Sequence, residues 1–321
     1  MVGLKKILPE NLERRKLISI GVTVLIAGIL TIVGIYGIGQ YGIALFIIMP
    51  LFIGAFPNIL YAYGIKKLTW KESHSIAFLS LGICCVVLFI CAIEGAICIL
   101  MALPFAMFFT WLGSMTGKAI VNNSIKNAPT ALFVLIASIP LVSFIEDKIE
   151  KEDIISITTS VEINASPEEV WRNVIEFPKL KEPNEFIFKS GIAYPISAQI
   201  EGDGVGAVRH CNFSTGSFIE PITIWREPEL LKFDVADCPP PMKELSMWNV
   251  NAPHLHDYFV SKQGEFRITT LPSGKTLLEG TTWYYNKIKP VFYWKVWSNY
   301  IIHSIHERVL NHIKENSENK F

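Results

Sequence analysis

A long stretch without charge constrains this chain more than any other feature. No Asp, Glu, Lys or Arg occurs from Leu17 to Ile65, and from Ile76 to Gly117 the only one is Glu94. The elements of a soluble domain each need a solvated polar face, so they do not leave runs of this length uncharged. Although 50% of the chain is hydrophobic and only 18% is charged, the apolar excess lies before Glu146. We therefore predict a membrane region followed by a soluble domain.

The number of membrane crossings follows from segment length, since one helical crossing takes about 20 residues. Segments 17–38 and 41–63 each suit one crossing. Segment 76–117 is too long for one and must turn, most favourably at Glu94-Gly95, because an acid is costly at mid-bilayer and tolerated at the interface. This gives spans near 76–93 and 96–117, and 129–145 makes a fifth. The membrane region is predicted to extend over residues 17–146.

Basic residues predict which side of the membrane each loop occupies. They lie before the first span, between the second and third, and after the fourth: Lys5, Lys6, Arg14, Arg15 and Lys16; Lys66, Lys67 and Lys71; Lys118 and Lys126. Cytoplasmic loops carry the excess of Lys and Arg, so residues 1–16 form a basic cytoplasmic N-terminus of a multi-pass cell-membrane protein. Five spans then place the C-terminal part outside the cytoplasm. Four spans with one re-entrant segment would reverse that side.

The soluble part begins with a strand that leads into a helix. From Ile155 to Ile163 apolar and polar residues alternate, which is the period of a strand with one buried face. Ser166 is a suitable N-cap, Pro167 fits the first helical position, and Glu169 completes a capping box. Residues 147–153 are then a charged linker, residues 154–316 the soluble domain, and residues 317–321 a tail.

Short strands and one long helix follow. Strands are predicted at 206–213, 217–225, 231–235, 265–270 and 275–285, separated by turn sequences such as "STGS" and "LPSG". Pro290 to Glu315 carries an apolar stripe at helical spacing, which predicts a long amphipathic helix. The order is strand, short helices, antiparallel strands and a terminal helix.

These residues resemble the START-related, polyketide-cyclase-like superfamily with its helix-grip fold. The resemblance rests on "VEINASPEEVWRNVIEFPKL", "GDGVGAVRHCNF", "EPITIWREPELLKFDV" and "KTLLEGTTWYYNKI", and the ending of the chain looks like a membrane-embedded bacterial subgroup of that superfamily. It implies a curved antiparallel sheet around a long C-terminal helix, with a cavity for a lipid or another hydrophobic small molecule. The superfamily carries no universal catalytic set, so no catalytic residue is transferred.

A charged pair in the second and third predicted strands is the first candidate for binding. If "STGS" closes a two-residue turn at Thr215-Gly216, Cys211 faces Glu220, and Arg209 lies diagonal to Glu220 on the same face. Such a pair beside apolar neighbours can bind a ligand head group. The alternative is an ion pair on the solvent face.

Histidines suggest a second candidate. His254-x-His256 and His303-x-x-His306 each place two imidazoles on one face of an element, so four could converge on a metal ion. No Asp, Glu or Cys completes a zinc signature, and a hydrogen-bonded interior histidine explains His306 equally. We therefore predict no metal and no cofactor.

The Pro-rich segment 237–256 is predicted to be a lid over the mouth of the cavity, or else a structural loop. Cys211 and Cys238 are the only cysteines of the soluble part, and an extracytoplasmic location would permit a disulfide without requiring one. The candidate ligand-binding residues are Arg209, Glu220, Phe233, Trp248, His254, His256, Phe266, Trp283, Trp297 and His306.

Three functions are consistent with the sequence. The first is binding or transfer of a lipid or other hydrophobic molecule by a membrane-anchored domain. The second is a cyclase, dehydratase or hydrolase acting on a hydrophobic substrate, and the third is a ligand-free envelope interaction module. Net charge is zero, which gives no indication of a nucleic-acid partner. Expected partners are membrane lipids and a hydrophobic ligand, and Gly113-x-x-x-Gly117 offers a close helix contact, within the chain or in a homo-oligomer.

Overall fold

The computed structural model describes residues 8–39, 41–123, 125–148, 153–248, 250 and 252–319, which form two compact units. The first unit contains the described residues before Glu150, together with Glu244–Pro253 and Ile288–Pro290. The second contains the remaining described residues. Lys5, Lys6, most of the predicted linker 147–153 and the last two residues of the tail lie outside the described residues.

Helices make up the first unit. They are α1 (Leu12–Ile32, continued by π-helical turns at Val33–Ile38), α2 (π-helical turns at Ala44–Ile48, then Met49–Ala62), α3 (Trp70–Ile90), α4 (Ala96–Asn123) and α5 (Ala128–Lys148). Each contains a segment long and apolar enough to cross a membrane, and there are five such segments among the described residues. The prediction of about five spans is confirmed.

Arg15, part of the predicted cytoplasmic cluster, lies inside α1 and is buried. The helix begins five residues before the predicted span, because Asn11 caps it by accepting a hydrogen bond from the Arg14 N–H at 3.0 Å. The Arg15 guanidinium donates to the carbonyl oxygens of Leu60 and Tyr63 at the end of α2. A cation there satisfies carbonyls that have no partner within their own helix.

Two carboxylates of the first unit are held by neighbouring donors. The turn between α3 and α4 falls at residues 91–95, where the Glu94-Gly95 prediction put it, and Glu94 accepts a hydrogen bond from the Tyr41 hydroxyl at 2.9 Å. Glu146 accepts from the backbone N–H groups of Ile43 and Ala44 at 2.7 and 3.2 Å. Glu146 therefore caps the start of α2, and its negative charge lies at the positive end of the helix dipole.

Gly113 and Gly117 mediate a close helix contact within the chain. A Cβ atom at Gly113 would lie 2.3 Å from the carbonyl oxygen of Leu51, and one at Gly117 would lie 2.7 Å from that of Ala55. On the facing helix, a Cβ at Gly54 would lie 2.2 Å from the Thr110 carbonyl oxygen. Any larger side chain would separate α2 from α4, so these glycines allow the two backbones to pack directly.

The second unit is a curled sheet with helices. Its strands are β1 (Ile155–Ile163), β2 (Pro195–Glu201), β3 (Val208–Phe213), β4 (Gly216–Arg226), β5 (Leu230–Asp234), β6 (Phe259–Thr270) and β7 (Thr276–Asn286). Its helices are α6 (Pro167–Ile175), α7 (Phe186–Lys189) and α8 (Val291–Glu318). All seven strands pair antiparallel in the order β1-β7-β6-β5-β4-β3-β2. Strand β2 was not predicted from the sequence.

The inner face of this sheet packs on α6 and α8. Ile163, Ile222 and Leu278 of the strands join Val174 of α6 and Leu310 of α8 in one buried cluster. Ser166 caps α6 by accepting a hydrogen bond from the Glu169 N–H at 3.3 Å, although the predicted return bond of a capping box is not formed. An antiparallel sheet curled around a long C-terminal helix is the helix-grip fold, so the predicted fold class is confirmed.

Candidate functional site

A cavity of about 110 Å³ lies inside the second unit, between the sheet and α8. Most of its wall is apolar, with Phe218 of β4, Phe233 of β5, Phe266 of β6 and Ile305 of α8. Polar groups enter from a few positions, chiefly Arg209 and Glu220. An apolar hollow with a small number of placed polar groups is the usual form of a small-molecule site.

Arg209 is the central polar group of this cavity. It is 1% exposed, pairs with Glu220 and donates from Nε to the carbonyl oxygen of Ile175 at 3.1 Å. Its Nη2 is buried and has no hydrogen-bond partner among the described residues. Since a buried donor without a partner is costly, this nitrogen is a point at which an acceptor on a ligand would be stabilised.

Three aromatic rings surround the same guanidinium. Its central carbon lies 5.6 Å from the ring centroids of Phe177 and Phe233 and 5.5 Å from that of Phe266. Cation–π attraction at these distances partly replaces the water that the charge loses. The rings therefore hold the cation in the apolar wall of the cavity.

Burial and mutual charge set the protonation of the pair. Burial is the strongest single influence and would lower the pKa of Arg209, but the contributions of Glu220 and Cys211 together outweigh it and raise that pKa, so the guanidinium stays charged. Burial raises the pKa of Glu220, and the Arg209 charge opposes this rise. Burial also raises the pKa of Cys211 to about 12, which keeps its thiol protonated and a poor nucleophile.

The hairpin that carries the pair has a different register from the predicted one. Phe213 pairs with Gly216, so the turn residues are Ser214 and Thr215, and Arg209 lies directly opposite Glu220. The turn is fixed from outside the hairpin, because the Thr215 hydroxyl donates to the Pro240 carbonyl oxygen at 2.7 Å. The register differs by two residues, which preserves the face of each strand. The alternative of an ion pair on the solvent face is wrong, since both side chains are buried.

His306 lines the cavity from α8. Its Nε2 lies 2.7 Å from the hydroxyl oxygen of Thr282, and its Nδ1 lies 3.0 Å from that of Thr159. Burial, together with a smaller contribution from the neighbouring His303, lowers the pKa of His306 to about 4. The imidazole is therefore neutral at neutral pH. No three of His254, His256, His303 and His306 come within coordinating reach of one another in the described part of the chain, so the four-imidazole arrangement is not formed.

Five of the ten candidate residues line the cavity, namely Arg209, Glu220, Phe233, Phe266 and His306. Trp283 does not, because it alternates with the inward-facing Thr282 and Tyr284 on β7, and its ring lies 4.6 Å from the Lys232 ammonium. Trp297 lies beside the buried stripe of α8 and is partly exposed. His254 is buried in the 3₁₀ turn Pro253–Leu255, whereas His256 is exposed.

Trp248 belongs to the proposed lid, and none of the described residues of segment 237–256 lines the cavity. The segment is divided between the units, because Glu244–Pro253 groups with the helices of the first unit. Before that point, Met242 forms an isolated β-bridge with Ile192, and Lys243 N–H donates to the Gly191 carbonyl oxygen at 2.8 Å. These backbone bonds fix the first part of the segment to the region after α7.

Sequence reasoning missed several residues of the site. Phe177 follows α6 and contacts Arg209, and Thr159 lies on β1 and contacts His306, but neither was among the candidate residues. Alternation placed Thr159 on the buried side, and a hydroxyl there needs a partner, which was a usable signal. Cys211 and Cys238 are both free thiols.

The fold has neighbours among solved structures. No family model and no curated protein matches the sequence. Solved structures that match include a protein from Nitrosospira multiformis (16% identity over 51% of this chain and 96% of that one, TM-score 0.32). Norcoclaurine synthase from Thalictrum flavum matches at 14% identity over 52% of this chain and 94% of that one, with a TM-score of 0.33. The Aha1 dimer from Colwellia psychrerythraea matches at 15% identity over 51% and 96%, with a TM-score of 0.30. At these scores the matches carry no argument about ligand or reaction.

Proposed function

We propose that this protein binds a small hydrophobic molecule bearing an oxygen acceptor in the cavity of its helix-grip domain, while its helices anchor it in a membrane. The observation that carries the proposal is Arg209 Nη2, a buried donor of a charged group that lacks a partner among the described residues. Since Glu220 balances the charge of Arg209, the cavity favours a neutral acceptor such as a carbonyl or hydroxyl oxygen over a second anion.

The size of the cavity limits the ligand. A volume of about 110 Å³ holds three or four water molecules at about 30 Å³ each, whereas sites for drug-sized ligands have about 300–1,000 Å³. A small ketone or a small head group fits without change, whereas a cavity that binds benzene has about 150 Å³. A whole lipid requires the phenylalanine and isoleucine side chains of the wall to move, so transfer of a lipid would involve an opened form of the domain.

Five membrane-crossing helices support a role close to a bilayer. Hydrophobic molecules concentrate in the bilayer, so an anchored binding domain meets them at higher local concentration than a free one. The side of the membrane on which the domain lies stays a prediction, and so does transfer between membranes.

Extraction and mass spectrometry test the proposal directly. The full-length protein, purified in detergent, should release a compound of defined mass at an amount comparable to the protein, and Arg209→Met should lose it. The matched control is Arg226→Met, at an exposed end of β4, which should retain the compound.

A second variant separates loss of binding from misfolding of Arg209→Met. Val235→Phe adds a ring to the wall of the cavity without touching the ion pair, so it should exclude the compound while the protein keeps its near-UV circular dichroism. If the wild type and Val235→Phe release the same compounds in equal amounts, the cavity is not the binding site. If the wild type releases nothing above the level of the detergent blank, the ligand-free interaction module is the better description.

A further inference from the structure

A chain of hydrogen bonds crosses from the cavity to the outer surface of α8. Thr282 Oγ1 lies 2.7 Å from His306 Nε2, and His306 Nδ1 lies 3.0 Å from Thr159 Oγ1. The same threonine oxygen lies 2.8 Å from His303 Nδ1, and His303 Nε2 lies 3.3 Å from a carboxylate oxygen of Glu307. Five side chains from β1, β7 and α8 therefore form one continuous series.

The ends of the chain lie in different surroundings. Thr282 and His306 are part of the cavity wall. His303 and Glu307 have side chains that are 47% and 57% exposed. The series thus joins a mainly apolar hollow to solvent through Thr159, which is 7% exposed.

With both imidazoles neutral, only one arrangement of protons satisfies every member. Glu307 as a carboxylate only accepts, so His303 Nε2 carries its proton, and His303 Nδ1 accepts from the Thr159 hydroxyl. Having used its single proton, Thr159 accepts from His306 Nδ1–H, and His306 Nε2 accepts from the Thr282 hydroxyl. The reverse order would point an imidazole lone pair at the Glu307 carboxylate. All donors in this series therefore point away from the cavity.

We propose that this series is a proton path, and that the cavity is a site of proton transfer for an enolisable carbonyl compound as well as a binding site. The proposal rests on the binding function proposed above. With the carbonyl oxygen of the ligand on Arg209 Nη2, the C–H bond next to the carbonyl breaks and its electron pair moves to that oxygen, giving an enolate held by the guanidinium. The departing proton bonds to Thr282 Oγ1.

One proton then moves along each remaining hydrogen bond of the series. The Thr282 proton passes to His306 Nε2, the His306 Nδ1 proton to Thr159, and the Thr159 proton to His303 Nδ1. His303 Nε2–H then passes its proton to Glu307 or to water, so one proton reaches solvent and no oxidant or reductant is needed. Return of a proton by the same path regenerates the carbonyl compound.

The electrostatic surroundings agree with such a path. A relay imidazole must be neutral in its resting state, and burial lowers the pKa of His306 to about 4. The charged groups facing it across the cavity are Arg209, Glu220 and Glu265 of the strands, and those on its own helix are His303 and Glu307. Arg209 stabilises the negative oxygen of an enolate, which is the charge that develops in the reaction.

Deuterium exchange of acetone, a ketone small enough for the cavity, tests the reaction. The full-length protein in detergent and D₂O should accelerate exchange of the hydrogens next to the carbonyl, followed by ¹H NMR, and saturation-transfer NMR should show the ketone bound. Thr159→Val should lower the accelerated rate at least tenfold with binding unchanged, because it breaks the path without touching the cavity wall. Thr159→Ser keeps a hydroxyl and should restore the rate, and Thr158→Val, on the exposed face of β1, should not change it.

The outcomes separate this inference from the binding function. Binding that depends on Arg209 without accelerated exchange overturns the proton path alone, and absence of binding overturns both. A second measurement does not depend on any variant or ligand. ¹⁵N NMR of histidine-labelled wild type should show His306 protonated at Nδ1 and His303 at Nε2, and the opposite tautomer at either residue overturns the path.

Discussion

Arg209 and Glu220 lie directly opposite each other on β3 and β4, and both are buried against the cavity. Removing one partner leaves the other charge buried and uncompensated, which typically costs about 3–5 kcal/mol. We therefore expect Arg209→Met to lower the free energy of unfolding of the full-length protein by that amount, measured by denaturant titration with tryptophan fluorescence.

The double variant Arg209→Met with Glu220→Met is the control for this pair, because it removes both charges. It should recover most of the loss, since a buried ion pair contributes little beyond an apolar pair of the same volume. A double variant that is as unstable as the sum of the two single variants would show that the charges do not interact.

His306 makes stability depend on pH. Its pKa is about 4 in the folded protein and about 6.5 in the unfolded chain, so between these values the unfolded chain binds more protons. Stability from this group is complete above pH 6.5 and is lost as the pH falls towards 4, by about 3 kcal/mol in total. The measurement is the melting temperature from pH 4 to 7, for the wild type and for His306→Asn.

The comparison with His306→Asn is needed because Glu220 acts in the opposite direction. Its pKa is raised in the folded protein, so its contribution to stability falls as the pH rises above 4.5. This contribution is common to both proteins and cancels in their difference. If the difference between the two melting curves does not change with pH, His306 does not titrate as described.

Leu310 tests the packing of α8 on the sheet. It is 1% exposed, and Leu310→Ala should lower the free energy of unfolding by about 2–5 kcal/mol through lost contacts and a new cavity. Val296 lies on the same helix but is 67% exposed, so Val296→Ala should change it by less than about 0.5 kcal/mol. Equal effects of the two changes would show that the face of α8 that contains Leu310 does not pack on the sheet.

Five crossings and the distribution of Lys and Arg predict that the C-terminal domain lies outside the cytoplasm. A reporter that is active only in the cytoplasm should be silent when fused to the C-terminus. The same reporter fused after Lys67, between α2 and α3, should be active. Activity at both positions would mean an even number of crossings.

Trp248 is 58% exposed and is not among the residues that line the cavity. Trp248→Ala should therefore change the stability of the protein by less than about 1 kcal/mol, measured by denaturant titration. It should also leave the amount of compound extracted with the protein unchanged. Loss of that compound on this change would restore the lid hypothesis.

Local patterns were sufficient to predict most of the fold. The alternation from Ile155 to Ile163 and the N-cap at Ser166 are short-range features, and the structure reproduces both. Strand β2, Pro195–Glu201, was missed although Ile196, Ala198 and Ile200 alternate with polar residues, so a usable strand signal was present in the sequence. The register of the β3–β4 hairpin was wrong because a contact from Pro240, distant in sequence, selects its turn.

The site could be predicted only in part, because alternation shows which residues share a face of a strand but not which face curls inwards. Arg209 and Glu220 were placed on one face correctly, yet burial of that face depends on α8. The relation of Thr159 to His303 and His306 spans 144 and 147 residues, so no local pattern indicates it.

The phenylalanines around Arg209 tolerate substitution differently from the arginine itself. The guanidinium is part of the structural support of the sheet, so its replacement endangers folding before it changes recognition. Phe233 and Phe266 line the cavity and carry no charge, so exchanging them for leucine enlarges the hollow and leaves the ion pair in place. Directed evolution of new ligand specificity should therefore accumulate substitutions at these two rings while the arginine stays constant.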